Sequence, residues 1–76
     1  MEIAPRITVD SNIVHGAPVI AGTRVPVSVV IGSLAGGMSK EEVETEYGIS
    51  KRDIEAALTY AAEVVATTEA IPLVGT

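Results

Sequence analysis

The chain has 76 residues, no cysteine and a net charge of −5 at pH 7, so we expect one small domain without disulfides or a cysteine-ligated zinc. A mean hydropathy of +0.42 argues against disorder, and no apolar run approaches the ~20 residues of a membrane helix. The absence of Phe and Trp disfavours stacking of single-stranded nucleic acid on aromatic rings. We expect a cytoplasmic domain over residues 1–76, with its core at 6–67 and a tail at 69–76.

A second copy of the chain is the expected source of additional stability. In a domain of this size, the free energy gained by burying apolar surface is nearly cancelled by the conformational entropy lost on folding. Since disulfides and cysteine-bound metals are excluded, we expect a homodimer in which two copies bury more apolar surface together.

The charge is distributed unevenly along the chain. Residues 1–38 are neutral overall, whereas residues 39–76 carry three cations against eight carboxylates and hold the whole net charge of −5. Affinity for DNA comes largely from cations placed on phosphates. A role on DNA therefore requires a local basic patch, a basic partner protein, or both.

The first third of the chain has the pattern of short strands and turns. We expect a strand at 7–9, a turn at 10–12 and a loop at 15–18. Val19–Ile20 and Arg24–Val25 flank a short segment containing Gly22, which predicts a hairpin in which this glycine has a positive φ.

Two alternatives are open for residues 26–35. Helical spacing is shown by Val27, Val30, Ile31 and Leu34. Alternation as in a strand is shown by Val25, Val27, Val29 and Ile31. The β-branched content favours a strand. Pro26 suits a first helical turn and Gly36–Gly37 is typical of a helix end, so a helix is preferred.

Two capped helices are predicted in the second half of the chain. Ser39 and Glu42 form a capping box, with Met38 and Val43 as its hydrophobic staple. This helix should end near Glu46 or Tyr47, with Gly48 in the left-handed conformation that is common at helix ends. Ser50, Asp53, Ile49 and Ile54 repeat the same arrangement, and they predict a longer helix from Lys51 to about Thr67.

The two helices match the helix-turn-helix pattern. Their capping serines are 11 residues apart, which fixes a tight turn and a steep crossing. The second helix would present its first turn, Ser50–Lys51–Arg52, to a DNA groove, and its backbone N–H groups favour a phosphate there. A purely structural helix pair without a DNA contact is the alternative.

The candidate DNA-binding residues are Arg24, Lys40, Ser50, Lys51 and Arg52. Arg24 can bind a phosphate or a partner's carboxylate in bidentate fashion, or serve structurally by bonding carbonyls or an acidic residue across the dimer. Lys51 can instead pair with Glu55 on the helix surface, and Lys40 and Arg52 can be ordinary solvated surface. The apolar tail residues Ile71, Leu73 and Val74 are candidates for packing on a dimer mate or docking into a toxin groove, and a frayed terminus is the alternative.

No catalytic group is expected. Asp10, Ser11 and His15 lie in one short loop without a base-orienting signature, and the glycines form neither a phosphate loop nor a dinucleotide fingerprint. His15 is the single histidine, so it lacks partners for a metal site. We therefore expect no enzyme, no cofactor and no metal.

Three segments together resemble the small DUF433 family, namely Pro18–Val27, Leu34–Ser39 and Ile54–Ala62. The resemblance covers roughly residues 6–66. It implies a mainly α fold: a three-helix, winged-helix-like helix-turn-helix core preceded by short strands or a hairpin, with residues 27–35 helical. It also implies a homodimer that acts as the antitoxin of a prokaryotic toxin–antitoxin pair, often beside a PIN-like toxin.

The chain departs from the family pattern at two positions near the predicted hairpin. Relatives commonly carry a basic residue where this chain has Ala17, and another where it has Ala21. If those cations contact phosphate in relatives, this protein binds DNA more weakly or only together with its partner. A homodimeric interaction module without DNA binding is therefore the alternative function.

Overall fold

The computed structural model of the protein describes residues 1–69. Three short strands precede three α-helices, in the order β1 (Glu2–Ala4), β2 (Ile7–Thr8), β3 (Val19–Ile20), α1 (Val27–Ala35), α2 (Lys40–Tyr47) and α3 (Lys51–Glu69). The predicted mainly α fold with short N-terminal strands is confirmed.

The strands form one antiparallel sheet with β2 in the centre. Ile7 of β2 lies opposite Ile20 of β3, and both side chains are fully buried beneath the helices. The strand predicted at 7–9 is confirmed at 7–8. The first strand, β1, was not predicted, because its three residues are too short to show an alternating pattern and Pro5 follows directly.

The link between β2 and β3 is a pair of tight turns. The Asp10 carboxylate accepts the backbone N–H of Asn12 at 2.8 Å, which confirms the turn predicted at 10–12. Val14, His15 and Gly16 then form a short turn in which all three have positive φ, at 48°, 55° and 81°. A β-branched residue rarely adopts this conformation, so Val14 is a strained position of the backbone.

The predicted hairpin after β3 is only partly correct. Gly22 has the expected positive φ of 77°, and the Ile20 N–H donates to the Val25 carbonyl at 2.9 Å. Residues 24–25, however, form no strand, and β3 pairs with β2 instead. On this side of β3 the pairing is a single antiparallel bridge between Val19 and Pro26, because Pro26 has no N–H to donate and α1 begins at the next residue.

Residues 27–35 are helical, so the strand alternative is wrong and the helix prediction is confirmed. Val27 and Val30 are buried on the inner face of α1. At the other end of the helix, Ser33 shares a 2.8 Å hydrogen bond with the Tyr47 hydroxyl of α2. This bond joins α1 and α2 beside the core.

Both predicted capping boxes are present. The Ser39 hydroxyl accepts the Glu42 N–H at 3.0 Å, and the Glu42 carboxylate accepts the Ser39 N–H at 2.8 Å. Gly48 ends α2 in the left-handed conformation with φ 65°. α3 continues to Glu69, two residues beyond the predicted end.

One core joins the sheet to all three helices. Its buried members are Ile7, Ile20, Val27, Val30, Val43, Ile49, Ile54 and Ala57, with Met38, Tyr47 and Tyr60 among the half-buried residues around them. The predicted staple residues on both sides of Ser39 and Ser50 belong to this cluster. The core therefore fixes where α3 begins.

Candidate nucleic-acid interface

The corner between α2 and α3 is only three residues long. The Gly48 N–H donates to the Glu44 carbonyl at 2.9 Å, and the left-handed φ of Gly48 turns the chain out of α2. Ile49 is buried in the core, so the corner is fixed from beneath while Ser50 stays on the surface. This is the tight connection that the helix-turn-helix pattern requires.

The first turn of α3 is exposed at Ser50, Lys51 and Arg52. Within residues 1–69, neither cation forms an ion pair, so the alternative pair of Lys51 with Glu55 is not formed. The turn therefore offers two uncompensated positive charges at the positive end of the α3 dipole.

The Ser50 side chain has a structural role at this turn. Its hydroxyl oxygen accepts the Asp53 N–H at 3.1 Å, and the Asp53 carboxylate accepts the Ser50 N–H at 2.9 Å. A hydroxyl that accepts one bond can still donate its own proton. Ser50 is therefore a capping residue that retains a donor for a further contact.

Arg6 is a neighbour of this turn that the sequence analysis missed. Its guanidinium Nη1 donates to Asp53 Oδ1 at 2.9 Å, and the Arg6 and Asp53 side chains are 45% and 15% exposed. The two residues are 47 positions apart, so no local pattern could have revealed the pair. Arg6 connects the turn between β1 and β2 to the start of α3.

The ionisation of Asp53 reflects these contacts. Desolvation alone would raise its pKa, but the backbone N–H and hydroxyl of Ser50, together with the Arg6 guanidinium, lower the pKa below its ordinary value. The carboxylate is therefore charged at neutral pH. It cancels the charge of Arg6 and leaves those of Lys51 and Arg52 free.

The other two candidate cations lie on different elements. Arg24 is exposed in the turn before α1, and Lys40 is the exposed first residue of α2. In the described part of the chain, neither side chain makes a hydrogen bond or an ion pair. Arg24 therefore has no carbonyl or carboxylate partner among residues 1–69, and its charge is available to another molecule.

The exposed side of α2 is acidic. Glu41, Glu42 and Glu46 are exposed and Glu44 is half-buried. The backbone N–H and hydroxyl of Ser39 lower the pKa of Glu42 below its ordinary value, so this carboxylate is charged at neutral pH. This acidic side of α2 would repel an anionic ligand, whereas the first turn of α3 would attract one.

The remaining predictions concern the C-terminal tail, metal binding and membrane crossing. The partner-binding candidates Ile71, Leu73 and Val74 lie outside the described residues. Within residues 1–69 there is no group of three or more His, Asp or Glu side chains that could hold a metal ion. No helix in that range combines the length and the hydropathy needed to cross a membrane.

Comparison with known families identifies a match over most of the chain. The family model described as "Protein of unknown function (DUF433)" matches residues 7–61, which include β2, β3, α1, α2 and the first half of α3. Searches of curated proteins and of solved structures gave no match.

Proposed function

The chain belongs to the DUF433 family, and on that premise we propose that it is the antitoxin of a prokaryotic toxin–antitoxin pair. It is a cytoplasmic homodimer that binds a PIN-like toxin and its own operator DNA, and it catalyses no reaction. The observation that carries the DNA part of this proposal is the exposed first turn of α3, where Lys51 and Arg52 form no ion pair within residues 1–69.

The proposed DNA contact uses one α3 helix from each copy. The side chains of Lys51 and Arg52 lie at the N-terminal end of the helix, the part of a recognition helix that reaches base edges in the major groove. The Ser50 hydroxyl retains a proton for a phosphate oxygen. Lys40 and Arg24 would contact the DNA backbone, which positions a protein without reading sequence.

The proposed toxin contact uses opposite charge. The carboxylates on the exposed side of α2 attract a basic protein surface, and the apolar tail residues Ile71, Leu73 and Val74 add contacts of low polarity. A basic toxin bound there would offset the net charge of −5. The complex would then approach DNA with less repulsion than the antitoxin alone.

A homodimeric interaction module without DNA binding is the second candidate function. Two features favour it: the net charge of −5, and alanine at 17 and 21, where the family resemblance implies basic residues. In this alternative the fold and the toxin contact are kept, and the first turn of α3 is ordinary solvated surface.

A gel-shift experiment on the protein's own promoter separates the two candidates. The protein is titrated alone and together with the product of the neighbouring gene, over a series of salt concentrations. The antitoxin proposal predicts a shift that weakens steeply as salt rises, because phosphate contacts release counterions. If neither sample gives a salt-sensitive shift, the DNA part of the proposal is wrong and the interaction module stands.

A further inference from the structure

An apolar groove of about 520 Å³ lies between α1 and the C-terminal half of α3. Its lining includes Pro18, Val27, Ile31, Gly32, Val64 and Val65. No lining residue is charged, and Val64 and Val65 are 46% and 52% exposed. The groove therefore leaves large apolar side chains in contact with water in a single copy of the chain.

The groove continues the apolar face by which α3 joins the core. Ile54 and Ala57 are fully buried on this face, and Ala61, Val64 and Val65 follow them at helical spacing. Beyond Ala61, however, every described residue of α3 is exposed. The second half of α3 thus has a core-type face with nothing packed on it within residues 1–69.

We propose that the C-terminal half of α3 from a second copy of this chain fills the groove, and that the two copies exchange these halves about a two-fold axis. This inference rests on the homodimer of the proposed function and names the surface that forms it. A two-fold exchange buries the groove and the apolar face of α3 together, because each copy supplies one apolar helix end and one apolar groove.

The charge of the lining favours a second copy over a partner of opposite charge. A basic protein would be matched by carboxylates, and these lie on α2 and, at Glu63, on a side of α3 that faces a separate pocket, but not in the groove. Two copies that each carry −5 repel least where the contact itself is uncharged. Gly32, Ser28 and Ala61 also line the groove, and small residues let two helices approach closely.

The area of such a contact is enough for a dimer of moderate affinity. The face from Leu58 to Thr68 is about 16 Å long on a helix about 11 Å wide. Burying half of that surface and an equal area of groove in each copy removes about 1,100 Å² from water, just above the ~1,000 Å² of a specific interface. We therefore expect dissociation to be visible on dilution.

Sedimentation of the full chain with single lysine substitutions tests the proposal. Val65→Lys changes the α3 side of the groove and Ser28→Lys the α1 side, and both positions are exposed in one copy, so folding is retained. A buried charge is costly, and we expect each substitution to weaken the dimer about a hundredfold or more. Val29→Lys, at an exposed valine of α1 outside the groove, is the matched control and should sediment like the unmodified chain.

Each of the other possible sedimentation results would overturn a different part of the proposal. An unmodified chain that stays at its 7.8 kDa monomer mass at every concentration would overturn both this inference and the homodimer. A dimer that survives Val65→Lys and Ser28→Lys would overturn the groove interface alone. If an Ile71→Ser, Leu73→Ser double variant dissociates, residues 70–76 and not α3 occupy the groove. In all cases the promoter gel shift still tests DNA binding separately.

Discussion

At the scale of single residues, the start of α3 separates charges that are used within the fold from charges that are free. Asp53 accepts bonds from Ser50 and from Arg6, so it both caps the helix and binds the sheet side of the molecule. Lys51 and Arg52, its neighbours in sequence, have no such partners within residues 1–69. Neighbouring residues thus have different roles: Asp53 is structural, and Lys51 and Arg52 are the proposed DNA-binding residues.

Replacing Asp53 by Asn should lower stability and change its dependence on pH. Because contacts in the folded state lower the Asp53 pKa from its ordinary value of 3.8, their stabilisation is present above that pH and is lost as the pH falls through the folded-state pKa. We expect Asp53→Asn to cost about 1 kcal/mol at pH 7 and much less near pH 2.

Urea unfolding at a series of pH values measures this difference. Glu55→Gln is the matched control, since Glu55 is an exposed carboxylate of the same helix that forms no ion pair within residues 1–69. Its effect on stability should be small at every pH. An Asp53→Asn cost that is the same at pH 7 and in acid would contradict the linkage argument.

Arg52→Ala should weaken operator binding without changing the mass of the dimer. Loss of one arginine contact to DNA costs about 1–3 kcal/mol, which is roughly tenfold or more in affinity. Arg52→Lys keeps the charge but loses the bidentate geometry, so it should bind nearly normally if the partner is a phosphate and poorly if it is a base edge. Unchanged binding by Arg52→Ala would remove this residue from the site.

Sequence could predict the local part of this turn but not the rest. Ser50 and Asp53 interact three positions apart, and that spacing is a property of any helix start. Arg6 reaches Asp53 only because the sheet packs beside α3, so its role depends on the packing of the whole chain. The same limit explains why the partners of Arg24 and Lys40, if they lie on other molecules, are invisible in the sequence.

At the scale of elements, the capping residues and the glycine at the helix ends specify α2 and α3 more strongly than the residues in the helix interiors do. Each helix begins with a reciprocal serine–carboxylate cap, and Gly48 separates them with φ 65°. These signals are short-range, which is why α2 was predicted with its observed start and end. The β segments lack them, so β1 was missed and β3 was paired with residues 24–25 in place of β2.

Gly48→Ala should destabilise the domain through backbone conformation alone. A Cβ at this position would meet nothing within 4 Å, so the cost of about 1–2 kcal/mol comes from the left-handed φ. Gly48→Asn is the matched comparison, because asparagine tolerates this conformation better although it is larger. Thermal or urea unfolding should therefore rank the stabilities glycine, asparagine, alanine; a loss that grows with side-chain size would point to crowding.

At the scale of the whole molecule, α3 has two different ends. Its first turn is the proposed DNA contact, and its last turns form the apolar face beside α1. If two copies cross near Val65, each first turn lies 14 residues, or about 21 Å, from the crossing point. The two turns are then at most about 42 Å apart, a span that includes the ~34 Å between half-sites one DNA turn apart.

Operator spacing should therefore matter to the intact dimer. Inserting about 5 base pairs between the half-sites places them on opposite sides of the duplex, and we expect at least a tenfold loss of affinity in gel shifts. The Val65→Lys variant should bind weakly to both operators and show no difference between them. Equal binding of both operators by the unmodified protein would contradict a rigid two-fold arrangement.

The contact between Arg6 and Asp53 also bears on the order in which the chain folds. The capping boxes of α2 and α3 join residues three apart and can form as soon as each helix does, whereas the arginine contact closes a loop of 47 residues and carries a larger entropic cost. The α2–α3 unit can therefore form before the sheet docks, and the ion pair forms only when the turn between β1 and β2 reaches the start of α3.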